Sequence, residues 1–321
     1  MAEHSEGRGR TVPGNEHQPV LAAEALEALA LEADGYYVDA TFGRGGHSAL
    51  ILQALGREGR LLALDRDPQA IEAGHHRFAD EVRLTLVHAP FADLGTLVPA
   101  YAHDRPCRGV LLDLGVSSPQ LDDPRRGFSF RADGPLDMRM DPTRGEPVAS
   151  WLARAGLDEI RQVIATLGEE RFARRVAQAI VSARQSEPLT GTAQLAALVA
   201  RAVRTREPGK HPATRTFQAL RMFINDELGQ LERGLNGALD ALSPGGRLAV
   251  ISFHSLEDRA VKRFMQRESQ VDPALKRLPV VPVQARPRLK TVGRKRRPDE
   301  AELERNPRAR SALLRVAERL P

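Results

Sequence analysis

The chain has 321 residues, of which 41% are hydrophobic, and a formal net charge of +5. No apolar run reaches the roughly 20 residues of a membrane span, and the polar residues 1–14 lack a signal-peptide core. The single cysteine, Cys107, excludes an internal disulfide and a cysteine-cluster metal site. We therefore expect a cytoplasmic protein with a hydrophobic core large enough for one large or two moderate domains.

The positive charge is concentrated near the C-terminus. Residues 271–321 carry 14 Lys and Arg against 6 Asp and Glu, so the rest of the chain is slightly acidic. Within this arm Arg294, Lys295, Arg296 and Arg297 form a basic run, which is typical of polyanion contacts. A solvated, arginine-rich surface would give the same pattern. Aromatic residues make up only 4% of the chain, which argues against an extended base-stacking platform.

Taken in chain order, the first organised stretch is a helix, a strand and a glycine turn. Residues 20–31 have a helical pattern, and β-prone residues 36–38 predict a strand that Asp39 closes. Gly43, Gly45 and Gly46 follow, and a second helix begins near Ser48. Such a strand, turn and helix can cradle a nucleotide, because glycine lets backbone N–H groups approach a ligand. A purely structural turn would look similar.

Three further buried strands are predicted over residues 59–65, 82–87 and 108–115. Asp65 lies about 20 residues beyond the glycine turn, the spacing at which such folds place an acid on a ribose. Its alternative role is a helix N-cap before Pro68. Asp39, Asp65 and Asp113 all fall at carboxyl ends of predicted strands, where open α/β sheets bind ligands.

The alternation of strands and helices then stops. An irregular stretch covers residues 121–142, and loops of this length are usually functional. Helical patterns follow over residues 148–167, 169–184 and 192–203. We interpret residues 121–211 as a helical insertion between the fourth and fifth strands, with a role in substrate recognition.

The remaining chain returns to the sheet. An amphipathic stripe predicts one long helix over residues 215–242, capped by Thr214, before a fifth strand at residues 247–254. Residues 264–290 show no regular period, and a last strand is predicted at residues 312–317. The prediction is an α/β, Rossmann-like core made of residues 15–120 and 212–321, preceded by a disordered tail over residues 1–14.

Two ligand classes suit the cradle, a dinucleotide and S-adenosylmethionine. The dinucleotide fingerprint requires a third glycine where this chain has Ser48, and Asp39 would repel a nearby pyrophosphate. An acid at that place tolerates the cationic end of S-adenosylmethionine. The residues therefore favour a methyltransferase core.

Several long strings in one order resemble the bacterial ribosomal RNA small-subunit methyltransferase H family, the cytosine-N4 methyltransferases. The likeness runs nearly end to end and leaves out the N-terminal tail. It is carried by H-Q-P-V at residues 17–20, D-A-T-F-G-R-G-G-H-S at 39–48, D-L-G-V-S-S-P-Q at 113–120, G-F-S-F at 127–130, G-P-L-D-M-R-M at 134–140, T-F-Q-A-L-R at 216–221, F-H-S-L-E-D-R at 253–259 and N-P-R-A-R-S at 306–311.

The resemblance implies a class I, S-adenosylmethionine-dependent methyltransferase that modifies the exocyclic N4 of a cytidine in 16S rRNA. It also implies seven donor-binding positions, namely Gly45, Gly46, His47, Asp65, Phe91, Asp113 and Gln120. From residue type alone, Phe91 could equally fill the core and His47 could be a satisfied loop histidine. The resemblance favours an adenine contact for Phe91.

The implied reaction needs a held base and a proton acceptor but no metal. The N4 lone pair is delocalised into the ring, so the protein must hold N4 in line with the methyl–sulfur bond and accept the amino proton. Many amino methyltransferases use Asn/Asp-Pro-Pro-aromatic for this, where the present chain has Ser117-Ser118-Pro119-Gln120. The candidates are Ser117, Ser118 and His254, although His254 could be a buried structural residue.

The expected partner is the 16S rRNA of the small ribosomal subunit, with the target base unstacked or flipped out. The residue 121–142 loop and the insertion would wall the acceptor pocket, and residues 294–297 would contact phosphates. No membrane partner is expected, and the chain could be a monomer or a homodimer. Rival hypotheses are a DNA or protein methyltransferase, a donor-binding ribosome-assembly factor without turnover, and, more distantly, a dehydrogenase.

Overall fold

A computed structural model describes residues 19–203, 209, 211–271, 282 and 285–321. The predicted disordered tail over residues 1–14, and His17 and Gln18 of the first family string, lie outside this range. Within it, one sheet holds seven strands: β1 (Tyr36–Asp39), β2 (Arg60–Asp65), β3 (Leu84–His88), β4 (Cys107–Asp113), β5 (Leu242–Ser252), β6 (Leu289–Thr291) and β7 (Leu313–Arg319).

The α-helices of the described chain surround this sheet or follow β4. They are α1 (Ala22–Leu29), α2 (Gly46–Ala54), α3 (Pro68–Arg77), α4 (Leu94–Ala102), α5 (Ser118–Asp122), α6 (Val148–Arg154), α7 (Leu157–Leu167), α8 (Ala173–Ser186), α9 (Thr192–Ala202), α10 (Thr214–Ile224), α11 (Glu227–Ala241), α12 (Ser255–Glu268) and α13 (Glu300–Arg305). Among the described residues, no helix is both long and apolar enough to cross a bilayer.

The strand order is β3-β2-β1-β4-β5-β7-β6. The first five strands pair in parallel, whereas β7 runs antiparallel to both β5 and β6. The strand order reverses at β1 and β4, since β2 and β3 are added on one side of β1 and β4 and β5 on the other, and this switch point is the crevice where such sheets bind ligands. This arrangement confirms the predicted α/β, Rossmann-like core.

Each face of the sheet is covered by its own hydrophobic cluster. Helices α1 and α2 contribute Leu29 and Ile51 to one face, where they pack with Tyr37 of β1. Helices α4, α11 and α12 cover the other face, where Leu235 and Phe264 are buried. Because both faces are buried, the central strands are apolar runs rather than alternating ones.

A third hydrophobic cluster belongs to the helical region between β4 and β5. It is built from α6 to α10 and the preceding loop, with Trp151, Val176 and Leu220 among its buried members. The insertion boundary at residue 211 stays a prediction, because this packing unit extends through α10 to Ile224. The loop before the helices is itself anchored there by buried Leu136 and Met138.

The long helix expected over residues 215–242 is two helices, so that prediction is wrong. Helix α10 ends at Ile224, and Asp226 adopts a left-handed conformation with φ 48° before α11. Asn225 explains the break. Its buried amide donates to the carbonyl of Met138 (2.7 Å) and accepts from the backbone N–H of Met140 (2.8 Å). The amphipathic stripe continues across the break, which is why the sequence pattern concealed it.

Two other boundaries differ from the sequence interpretation. The helix predicted over residues 148–167 is interrupted by Ala155 and Gly156, which separate α6 from α7. Helix α12 was not predicted, although it directly follows the β5 end. His254 and Glu257 cap it reciprocally, since each side chain accepts a backbone N–H of the other. Histidine is not among the usual N-cap residues, so the sequence gave no clear start signal.

We expect the substitution Asn225→Ala to lower the free energy of unfolding by about 2–4 kcal/mol, because the Met140 N–H and the Met138 carbonyl would lose their buried partner. Urea unfolding followed by circular dichroism measures this change. Asn236→Ala on α11 is the matched control, since Asn236 only donates to the carbonyl of Glu232 in its own helix. Its effect should stay within about 0.5 kcal/mol. Equal effects for the two variants would refute this role of Asn225.

Candidate active site

A cavity of about 380 Å³ opens at the carboxyl edge of the sheet. The ends of β1, β2, β4 and β5 lie side by side there, because Asp39 pairs with Ala63 and Leu111, and Asp113 pairs with Ile251. The volume lies within the roughly 300–1,000 Å³ of small-molecule sites. Predicted residues that line it are Gly46, His47, Asp65, Phe91, Asp113, Ser117, Ser118, Gln120 and His254.

The glycine turn shapes one wall of the cavity. Gly43 and Gly45 have positive φ values of 55° and 71°. A Cβ on Gly45 would lie 2.7 Å from the rings of Phe42 and Phe78, so only glycine fits there. Gly45 does not line the cavity itself, whereas Gly46 opens α2 beside it. In this structure Gly45 sets the turn, and its predicted donor contact remains untested.

Asp65 ties the end of β2 to that turn. Its carboxylate accepts the N–H of Gly43 (2.7 Å) and the N–H of Asp67 (2.8 Å). Burial raises the pKa of Asp65 to about 6 in spite of these hydrogen bonds. The N-cap of α3 is Asp67, which accepts from the backbone of Gln69, so the capping role considered for Asp65 belongs to its neighbour.

Asp113 and His47 face each other across the cavity wall, with Nε2 and Oδ2 3.5 Å apart. Burial by itself would lower the pKa of His47, but the carboxylates of Asp113 and Asp39 outweigh it and raise that pKa. Thr41 fixes the end of β4 by accepting the N–H of Asp113 (2.6 Å). His47 thus lies beside a carboxylate that favours its protonated form and is not an isolated loop histidine.

Asp39 does not reach the cavity, contrary to the expectation from the strand ends. It is 1% exposed, and its carboxylate accepts from the hydroxyl of Ser48 (2.6 Å) and the N–H of Thr41 (3.2 Å). Burial raises its pKa. Asp39 therefore joins β1 to α2 from beneath the turn, and of the three strand-end acids only Asp65 and Asp113 line the cavity.

Gln120 and Phe91 are held by other elements. The Gln120 amide accepts the N–H of Ser117 (3.0 Å) and donates to Asp67 (2.8 Å), which anchors the serine-containing loop after β4. The ring of Phe91 lies against Gly234 of α11, where a Cβ would come within 2.4 Å of it. Phe91 is half-buried, so it both packs on the core and presents a flat side chain to the cavity.

His254 lies at the edge of the cavity in a charged cluster. Its Nδ1 accepts the N–H of Glu257 (3.4 Å), and its Nε2 lies 3.1 Å from a Glu257 oxygen. Glu227 is close enough to complete a three-ligand group with these two residues. However, Arg221 makes two 2.7 Å hydrogen bonds to Glu227. The pKa of Glu257 is lowered against the effect of burial, first by His254 and then by Arg221. The guanidinium thus supplies a positive charge to the cluster, and we interpret the cluster as an ion-pair network.

Sequence reasoning missed four cationic side chains at the cavity, Arg44, Arg66, Arg221 and Arg308. All but Arg66 belong to strings that carried the family resemblance, residues 39–48, 216–221 and 306–311. Nothing in those strings indicates which arginine reaches the cavity. Arg308 is half-exposed and pairs with Asp122 at the end of α5 (2.5 Å).

The basic run lies at the same edge of the sheet. Arg296 bridges to Leu314, whose neighbour Leu313 pairs with Ser252 at the end of β5. Arg296 itself pairs with Glu27 of α1 and is not free. Arg294, Lys295 and Arg297 are exposed. Three of the four predicted RNA-binding side chains are therefore available near the cavity, and their role stays a prediction.

The cavity residues fit S-adenosylmethionine. Asp113 Oδ1 is buried and, among the described residues, has no hydrogen-bond partner. A donor group on a bound ligand would satisfy this buried acceptor. Each Asp65 oxygen accepts one N–H and retains a lone pair for a hydroxyl. The half-buried ring of Phe91 offers a surface for a flat base.

Comparison with known proteins is decisive for the family. The chain matches the MraW methylase family over residues 14–320. It is 57% identical over 305 residues to a "Ribosomal RNA small subunit methyltransferase H" of Thiobacillus denitrificans, covering 95% of this chain and 97% of that protein. Proteins with the same name from Dechloromonas aromatica (57% identity; 95% and 98% covered) and Coxiella burnetii (53%; 95% and 99%) are similar over the same extent.

We expect the affinity for S-adenosylmethionine to fall as pH drops through about 6, because the Asp65 carboxylate gains a proton there. If only the ionised form accepts the ligand hydroxyls, affinity should weaken by about tenfold one pH unit below that pKa. Isothermal calorimetry from about pH 8 to about pH 5 measures the change.

Asp65→Asn separates this effect from the titration of His47. The variant should bind weakly throughout, without the step near pH 6. Glu58→Gln, at an exposed turn on the opposite edge of the sheet, is the control and should behave like the parent chain. A step that persists in Asp65→Asn would assign the titration to another group.

Proposed function

The chain belongs to the MraW methylase family, and we propose that it transfers a methyl group from S-adenosylmethionine to the exocyclic N4 of a cytidine in 16S rRNA. The proposal is carried by the cavity in which Asp65 and Asp113 meet the loop Ser117–Ser118. The names of its close relatives, all small-subunit rRNA methyltransferases, support the substrate. The choice of N4 of cytidine comes from the motif resemblance.

The donor half of the cavity lies between β1, β2 and β4. S-adenosylmethionine, when bound, supplies a methyl group on a positively charged sulfur that needs no metal activation. Asp65 would accept hydrogen bonds from its ribose hydroxyls, and Phe91 would contact its adenine. Asp113 and Gly46 would bind the remainder, where the negative charge of Asp113 favours a cationic ligand.

The acceptor half is formed by the loop after β4 and the helical region. Ser117 and Ser118 lie there together with Leu121 and Met140, whose apolar side chains exclude water. Gln120 fixes the backbone N–H of Ser117, so the loop is held before substrate arrives. Holding N4 in line at near-attack distance is the largest demand of the reaction, and a preorganised loop serves it.

We assign the hydrogen bonds that orient the amino group to the Ser117–Ser118 loop rather than to His254, and the proton released on methylation then passes to bulk water. The reciprocal cap with Glu257 engages Nδ1 of His254, and Nε2 is buried beside the Glu257 carboxylate. An imidazole whose Nδ1 is used in the helix cap and whose Nε2 lies buried against a carboxylate is poorly placed to take a proton from the substrate. His254 then acts as the cap of α12, and the oxygens of the serine loop receive the hydrogen bonds of the amino group.

The substrate must present an unpaired base, since a stacked cytosine cannot place N4 in line with the donor. Unstacking costs a few kcal/mol, which contacts to the surrounding RNA must offset. Exposed Arg294, Lys295 and Arg297 are suited to phosphate contacts beside the cavity. The helical region is proposed as the recognition element. A cytoplasmic location and a monomeric or dimeric state remain predictions.

Methylation of unmodified small ribosomal subunits with labelled S-adenosylmethionine tests the function. We expect N4-methylcytidine in nuclease digests of the 16S rRNA, and at least a hundredfold less product with Asp113→Ala. Duplex DNA and subunit proteins serve as competing acceptors in the same assay. Label in DNA or protein alone would refute the RNA assignment, and binding of subunits without any transfer would favour an assembly factor.

We expect His254→Asn to keep kcat within about threefold, because asparagine is a good N-cap residue. His254→Ala should lower the free energy of unfolding by about 0.5–2 kcal/mol, with kcat preserved in the folded fraction. Steady-state kinetics with subunit substrate, together with urea unfolding, measures both. If His254 were the general base, each variant would lose about 100-fold or more in kcat, and that result would overturn our assignment.

A further inference from the structure

The helical region carries a local excess of arginine. Between residues 171 and 203 the sequence has five arginines and a single acid, Glu187. Arg184 donates to the carbonyls of Leu152 and Ala155 and is thereby engaged. No carboxylate in the described chain lies within ion-pair distance of the other four, which we call the helical arginine face: Arg171, Arg174, Arg175 and Arg201.

This lack of acidic partners contrasts with the buried arginines that organise the site. Arginines elsewhere commonly pair with acids, as Arg126 does with Asp67 and Arg315 with Asp258. Unpaired like charges on neighbouring turns repel one another, since residues three or four apart share one side of a helix. A cluster left uncompensated on the surface therefore favours an external polyanion.

The face has a defined geometry. Arg175 of α8 and Arg201 of α9 flank one surface hollow, and Gln178 between them adds an amide. The guanidinium of Arg175 lies 6.0 Å from the ring centre of Phe172, which restricts its orientation. Two guanidinium forks and an amide around a hollow match the oxygens of a phosphate group.

The face begins close to the candidate active site. Glu169, two residues before Arg171, accepts from Ser255 Oγ (2.8 Å) and pairs with Arg259 (2.5 Å). Ser255 and Arg259 belong to the first turns of α12, directly after the end of β5. A nucleic acid with one base in the cavity could thus continue along α8.

We infer that the helical arginine face binds the phosphate backbone of the RNA on which the enzyme acts. The inference rests on the proposed function and adds a surface separate from residues 294–297. Phe172 is the one aromatic residue here, and it lies half-buried against Arg175. The face therefore positions RNA by charge and does not read its bases.

The test compares Arg175→Ala/Arg201→Ala with the parent chain in binding to 16S rRNA and to small subunits over a range of salt concentrations. Each lost phosphate contact should reduce the slope of log K against log salt by about 0.7 for single-stranded RNA. At about 0.1 M salt, two lost contacts correspond to an affinity about 25-fold weaker. Affinity for S-adenosylmethionine should be unchanged.

Arg57→Ala/Arg105→Ala is the matched control, since it removes the same charge at turns on the opposite edge of the sheet. An equal loss in the control, or weaker binding without a shallower slope, would overturn the inference. Weaker binding to assembled subunits alone would identify a ribosomal protein as the partner and would also overturn it. If the parent chain methylates no RNA, the proposed function fails, whereas normal methylation with unchanged binding by the double variant refutes only this surface.

Discussion

The site depends on burying carboxylates at the ends of parallel strands. Desolvation opposes the charged form of Asp39 and Asp65 and raises the pKa of both. Hydrogen-bond donors near the glycine turn offset part of this desolvation cost: Ser48 donates to Asp39, and Gly43 donates to Asp65. These hydrogen bonds hold the glycine turn in place, so the acids and the turn stabilise one another.

A second buried network joins the donor half of the cavity to the acceptor half. Asp67, which caps α3 after β2, also accepts from Gln120 and Arg126 in the segment after β4. Arg126 continues to the carbonyls of Arg139 and Met140 in the irregular loop. Because buried charges need such complete pairing, the irregular loop has a fixed position relative to the end of β2.

The arginines of the described chain include two groups, one that organises the site and one that is exposed and proposed to attract RNA. Buried arginines such as Arg126 and Arg221 are paired with acids and organise the site. Exposed ones on α8 and along residues 294–297 are largely without partners, apart from Arg296. Cations that organise the fold must be neutralised locally, whereas cations that attract RNA must not be. The net charge of +5 conceals this difference, because it counts paired and unpaired cations alike.

Local pattern determined much of the fold from the sequence alone. Strands buried on both faces appear as short apolar runs, and a positive-φ turn requires glycine, so β1 to β5 and the turn at Gly43–Gly46 were predictable. Asp65 and Asp113 were predictable as cavity residues because parallel strands end at one edge. The sequence could not show that Asp39 faces inward, that Asn225 divides a helix, or that Arg221 reaches the cavity. The first two outcomes depend on partners 9 and 87 residues away, which only the tertiary structure brings within hydrogen-bond distance.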